Sequence, residues 1–313
     1  MMKALILFIG VAVSFAACAP NKSSRAPFMM GEENFKDDAI AKLKATKTVF
    51  FYQKENGVAN DSLEKAISEA WTLTPIIFDD FSNANKYAGN PAYSYFVIEG
   101  VKTTVSRSNG FSYSNIHYYL ALNVFKEVTK KGKVVTDGLY RIELFPNFES
   151  MMMGDRGKKD EVIDNLYAKG QFYNWSPVSL KACLATSNTN LTNKNRPWLF
   201  QNIKDANLSQ LLSHDTLYVP KRLLIQYNSF TGKEKDKEEN VFGSYRYKYR
   251  LCTDAELYQI FEVEKRGRFL FEYVKSSTDK FVTVYDLKEK KAVYRHYAPM
   301  SYNLKGKDVS FIR

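Results

Sequence analysis

Strand-like runs separated by short polar turns dominate this chain and limit what it can fold into. "KTVFFYQ", "TPIIFDDF", "YSYFVIEGV", "FSYSNIHYYLALNVF" and "DGLYRIELF" fill the first half, and "DTLYVP", "SYRYKYRLC", "RFLFEYV", "KFVTVYDL" and "KAVYRHY" fill the second. Each is rich in β-branched or aromatic residues, which pack well across a pleated surface. Turns such as "KKGK" and "SSTD" are short enough for antiparallel meanders. In "SYRYKYRL" the alternation puts Tyr245, Tyr247, Tyr249 and Leu251 on one face, with Arg246, Lys248 and Arg250 on the other. That pattern predicts a sheet with one covered face and one wet face. Aromatics at 15% of 313 residues fit the same reading.

Helical patterns interrupt the strands. "DSLEKAISEAW" carries a stripe at Leu63, Ala66, Ile67, Ala70 and Trp71, and Asp61 and Glu64 stand at capping-box spacing. "TDAELYQIFEVE" repeats the device with Thr253 and Glu256 ahead of Leu257, Ile260 and Phe261. Weaker helices fit residues 35–44, 160–168, 178–187 and 205–213. The expected fold is α+β, with mainly antiparallel sheets, packed helices and two related β-α-β-β units. In this reading the Val49–Tyr52 strand and the Trp71 helix correspond to Tyr245–Leu251 and the Phe261 helix. The expected division is 1–17 leader, 18–34 tether, 35–158 N-terminal unit, 159–214 helical connector and 215–313 C-terminal unit.

The leader reads "MMKALILFIGVAVSFAA", with Lys3 ahead of an apolar run too short to span a bilayer comfortably. Ala16 and Ala17 precede Cys18, and "APNKSSRAPFMMGEEN" then reads as a tether. The stretch "VSFAACAP" resembles the lipobox of bacterial lipoproteins, although Phe15 stands where that family usually has Leu, Val or Ile. The resemblance implies acylation at Cys18 and residence in the cell envelope, anchored to a membrane by lipid. Ala19 in place of Asp implies the outer membrane by the enteric sorting rule. "DSL" at 61–63 and "DTL" at 215–217 look like O-glycosylation acceptors of Bacteroidota. Export leaves Cys183 and Cys252 in a compartment that permits a disulfide, and sequence alone leaves open whether they pair or stay two buried thiols.

The net charge of +11 is spread over mixed runs such as "KEKDKEEN", and no nucleic-acid motif accompanies it, so solvated loops outweigh nucleic-acid binding. His117, His214 and His296 lack metal-type spacing, and HExxH, CxxC, GxSxG, Walker A and GxGxxG are absent. No metal, cofactor or catalytic residue is assigned. Asp79 and Asp80 are strand neighbours and point to opposite faces. The candidate binding surface is aromatic: Tyr113, His117 and Tyr119 on the wetter face of one strand, and Phe172, Tyr173 and Trp175 in "QFYNWSP". These residues point to a non-catalytic binding or assembly protein with an envelope protein or glycan as partner. An envelope hydrolase acting on glycan or peptide is the alternative.

Overall fold

A computed structural model describes residues 37–54, 60–106, 112–228, 231, 233–235, 240–277, 279–299, 301 and 303–313. Helix α1 (Asp37–Lys44) leads through Ala45 and Thr46 into β1 (Lys47–Phe51). Helix α2 (Asp61–Ala70) then crosses back to β2 (Ile76–Asp79), parallel to β1. Strands β3 (Tyr93–Ser106), β4 (Ser112–Val128) and β5 (Val134–Glu143) follow as an antiparallel meander. The sheet order is β2-β1-β3-β4-β5, with β1 parallel to both neighbours. Leu63, Ala66, Ile67 and Ala70 of α2 are buried, as their helical spacing requires. The cap differs from expectation: the Asn60 side chain accepts from Leu63 N, while Glu64 accepts from the Tyr52 hydroxyl at 2.5 Å.

The middle of the chain forms α3 (Phe148–Arg156), α4 (Lys159–Tyr167), α5 (Pro177–Thr192) and the short β6 (Ile203–Lys204). Then come α6 (Leu208–His214), β7 (Leu217–Pro220), β8 (Gln226–Tyr227), β9 (Glu234–Lys235), β10 (Tyr249–Cys252) and α7 (Asp254–Tyr258). Strands β11 (Phe269–Ser276), β12 (Asp279–Asp286) and β13 (Lys291–Ala298) and helix α8 (Gly306–Ser310) complete the chain. The second large sheet runs β10-β7-β11-β12-β13-β6.

The two sheets share one topology. β7 is parallel to β10 and β11, as β1 is to β2 and β3, and β11-β12-β13 is an antiparallel meander like β3-β4-β5. Registers agree as well. Thr48 lies between Ile76 and Ser94, and Leu217 lies between Tyr249 and Phe269. Carried forward, Ser94 opposite Val124 matches Phe269 opposite Asp286. The register breaks after Leu122 in one sheet and after Val284 in the other, which are equivalent positions, and the extra residues are Leu139 and Val293, both buried. A bulge at one equivalent place in two sheets is a designed feature of the fold. It puts Tyr140-Arg141 of β5 in register with Tyr294-Arg295 of β13. Leu43 and Leu212, both fully buried, stand equally far ahead of Thr48 and Leu217, so α6 belongs with the second sheet as α1 does with the first.

This correspondence differs from the one expected from sequence. β1 matches β7 rather than the Tyr245–Leu251 segment, and α7 follows the counterpart of β2 rather than that of β1. "SYRYKYRLC" is a strand only from Tyr249, and Leu251 is exposed. Its tyrosines pack on one another and on Phe242 instead of paving a sheet face, because β10 is a short edge strand. Helix α7 starts with the expected Thr253–Glu256 capping box and passes into a π-turn over Gln259–Val263. Helix α3 was not expected, although Asn147 caps it by accepting from Ser150 N at 2.8 Å.

Helix α5 joins the halves. Leu180, Cys183, Leu184 and Leu191 enter a core containing Ile67 and Phe96 of the first unit and Leu270 and Tyr285 of the second. At the junction β4 meets the end of β11: Ile116 N donates to Ser277 Oγ, and His117 Nδ1 lies 2.9 Å from Ser276 Oγ.

Candidate functional sites

Two cavities collect the chemistry. The first lies where β3 runs beyond β1. β1 pairs with β3 only as far as Phe96, so Ile98 N has no strand partner on that side and donates instead to the Tyr167 hydroxyl at 2.9 Å. Tyr167 stacks on Phe81 at 4.3 Å. The chain then turns at Gly170, whose φ of +79° suits glycine. Asn174 locks the return: it accepts from Phe145 N at 2.8 Å and donates to Glu143 O at 3.0 Å. Ser176 caps α5 and Pro177 begins it, which aims Phe172 and Trp175 into the notch.

The resulting pocket holds about 180 Å³ and is lined by Tyr52, Tyr167, Phe172 and Trp175, with Gln53, Asn60, Lys169 and Gln171 as polar groups. Burial, with help from Glu64, pushes the Tyr52 phenol up to about 12, so it acts as a hydrogen-bonding group and not as an anion.

The other sequence candidates separate. Tyr173 points away, its hydroxyl donating to Glu234. His117 and Tyr119 do not form a wet face. Both are buried, because the end of β11 covers His117 and the Arg141 guanidinium lies 3.9 Å over the Tyr119 ring. Burial holds the His117 imidazole below its usual range, against the pull of Glu143. Cys18 and the side chain of Tyr113 lie outside the described residues. Cys183 and Cys252 are separate free thiols: Cys183 donates to the Tyr285 hydroxyl at 3.4 Å, and Cys252 to Arg250 O at 3.6 Å. Burial pushes the Cys183 thiol up to about 12, which makes it a poor nucleophile.

The second cavity, about 80 Å³, sits at the junction of the two units under α5. β5 lends Tyr140, Arg141 and Glu143; α5 lends Cys183, Thr186 and Ser187; the second sheet lends Glu272, Thr283, Tyr285 and Arg295. Glu143 is fully engaged, taking Arg141 Nε on one oxygen and Ser276 Oγ at 2.7 Å on the other. Since the Ser276 proton goes to Glu143, His117 Nδ1 must be the donor to Ser276. The serine thus stands between imidazole and carboxylate, an order that binds the sheets together and differs from that of a hydrolytic triad.

No protein-family model, curated protein or solved structure matches the chain. Among the described residues no cluster of three His, Cys, Asp or Glu could hold a metal ion, and no helix is long and apolar enough to cross a membrane. Phe172 and Trp175 were readable as a binding pair in sequence. The junction cleft was missed, because its walls come from β5, α5 and three strands of the second sheet.

Proposed function

We propose that this chain is a lipid-anchored envelope protein that binds, and does not transform, an anionic glycan through the aromatic pocket. One observation carries the reading: Phe172 and Trp175 share a pocket with Tyr52, Tyr167, three side-chain amides and Lys169. Aromatic faces receive the apolar side of a sugar ring, amides meet its hydroxyls, and the ammonium meets an acidic substituent. At about 30 Å³ per water, 180 Å³ is on the scale of a single sugar ring. The net charge of +11 favours approach to anionic polymers. Glu143, committed to Arg141 and Ser276, supports binding over hydrolysis at the junction.

The pocket reading is tested by titrating the protein with a uronic acid and with the matching neutral hexose while following tryptophan emission. Saturable change with the uronic acid, weakened about tenfold by Lys169→Ala, is expected; Lys169 is exposed, so that variant keeps the fold. No response to either sugar overturns the glycan reading.

The anchor rests on "VSFAACAP". Cys18→Ala is expected to shift the protein from the membrane fraction to the soluble one. Labelled fatty acid still incorporated by that variant would sink the lipidation claim.

A further inference from the structure

The junction cleft contains polar groups that nothing in the fold uses. Glu272, Thr283 and Arg295 are direct cross-strand partners on β11, β12 and β13, so they form one row on one face of the sheet. Glu272 is 2% exposed, and neither carboxyl oxygen has a partner at full hydrogen-bond geometry, although the Ser179 hydroxyl, which accepts from Arg222, stands near it. The Thr186 hydroxyl, on the α5 side of the same cavity, is also buried without a partner. Of the seven buried side-chain atoms left unpaired among the described residues, three therefore line this one cleft. Arg295, half-buried at the other end of the row, has no hydrogen bond or ion pair among the described residues.

The first unit shows what the fold alone requires. The equivalent row there is Val97–Ala121–Arg141, with apolar residues in place of Glu272 and Thr283, and its arginine is satisfied by Glu143. The second unit has thus put a carboxyl and a hydroxyl where the same topology is content with Val and Ala. A buried polar group with no partner is costly to the fold, and such a cost persists where function uses it.

We propose that the junction cleft binds a small zwitterion, a free amino-carboxylate, with its ammonium on Glu272 and Thr186 and its carboxylate on Arg295. An ammonium brings three donors, matching the two oxygens of Glu272 and the hydroxyl of Thr186. A guanidinium is the group best shaped to take a carboxylate. Neighbouring strands stand about 4.8 Å apart, so two steps separate the backbones of Glu272 and Arg295 by about 10 Å, a span that a ligand with a charge at each end would bridge. At about 30 Å³ per water, 80 Å³ admits only the smallest members of the class. A ligand carrying one charge leaves the other end of the row unpaired.

The test is calorimetric titration of the full chain with glycine, alanine and β-alanine, and with acetate and methylamine as half-ligands. At least one amino-carboxylate is expected to saturate the site, with both half-ligands about tenfold weaker or worse. Glu272→Gln and Arg295→Met are each expected to weaken binding about tenfold or more. Circular dichroism checks that both variants fold, and Thr283→Val, volume-matched, gives a third reading with a smaller loss. Absence of binding by every amino-carboxylate overturns the proposal. So does acetate binding as tightly as glycine, or binding that Glu272→Gln leaves unchanged.

Discussion

Glu143→Ala is expected to lower unfolding stability by about 3–5 kcal/mol, the usual cost of removing one partner of a buried ion pair. The side chains of Arg141 and Glu143 are 5% and 6% exposed, so loss of the carboxylate strands a guanidinium inside the protein. The Ser276 hydroxyl loses its acceptor at the same time, and with it the junction loses the link from β5 through Ser276 to His117. Adding Arg141→Met should recover at least half of the loss, because replacing a buried pair by apolar groups is often close to neutral. The remainder is the orphaned serine hydroxyl, at about 1–3 kcal/mol. Urea unfolding of the two variants measures both steps. A double variant as unstable as the single one would show that the cost lies in packing and not in the unpaired charge. Hydrogen exchange should quicken at Ile116 and Ser276 more than at β1, since the lost contacts lie where the two units meet.

Strand positions were legible because alternation and aromatic content report directly on a pleated, half-buried backbone. Strand direction was not, since period-2 patterning is the same in parallel and antiparallel sheets, and so the parallel placement of β1 beside β2 and β3 could not be read. The doubled topology left one trace in the sequence: "LYRIE" and "VYRHY", which the matched bulges bring into register as Tyr140-Arg141 and Tyr294-Arg295. Whole-chain similarity between the halves was too low for that trace to stand out. "SYRYKYRL" misled because regular alternation of rings needs a sheet to pave, and this segment has only the short pairing of β10 with β7. His117 and Tyr119 sit on the face expected for a wet surface, but Arg141 of the same sheet covers Tyr119 and the end of β11 covers His117. The junction row was invisible for a similar reason, since Glu272, Thr283 and Arg295 become neighbours through register alone. Its one readable signal was Glu272 itself, a carboxylate inside the apolar run "FLFEYV".

That carboxylate makes stability depend on pH. Burial pushes Glu272 up to about 7 from the ordinary 4.5, against the pull of Arg222 and of the Ser179 hydroxyl, with Asp254 adding to the rise. The folded protein therefore keeps a proton that the unfolded chain releases between those values. The stabilisation from this group is complete below about 4.5 and is lost as pH rises through about 7. At about 1.4 kcal/mol per pH unit, the loss across the window is about 3 kcal/mol in the ligand-free protein. Glu272→Gln removes the titration while keeping the shape. Its stability relative to the parent chain should therefore climb by about 3 kcal/mol between pH 5 and pH 8, measured by urea unfolding at both. A difference that stays constant across that range would mean that water or a neighbour already satisfies the carboxylate. The sign also fixes how this site would behave with a bound ammonium. A cation on Glu272 favours the ionised form, so a saturating amino-carboxylate should flatten the same pH slope in the parent chain and leave the Gln variant untouched.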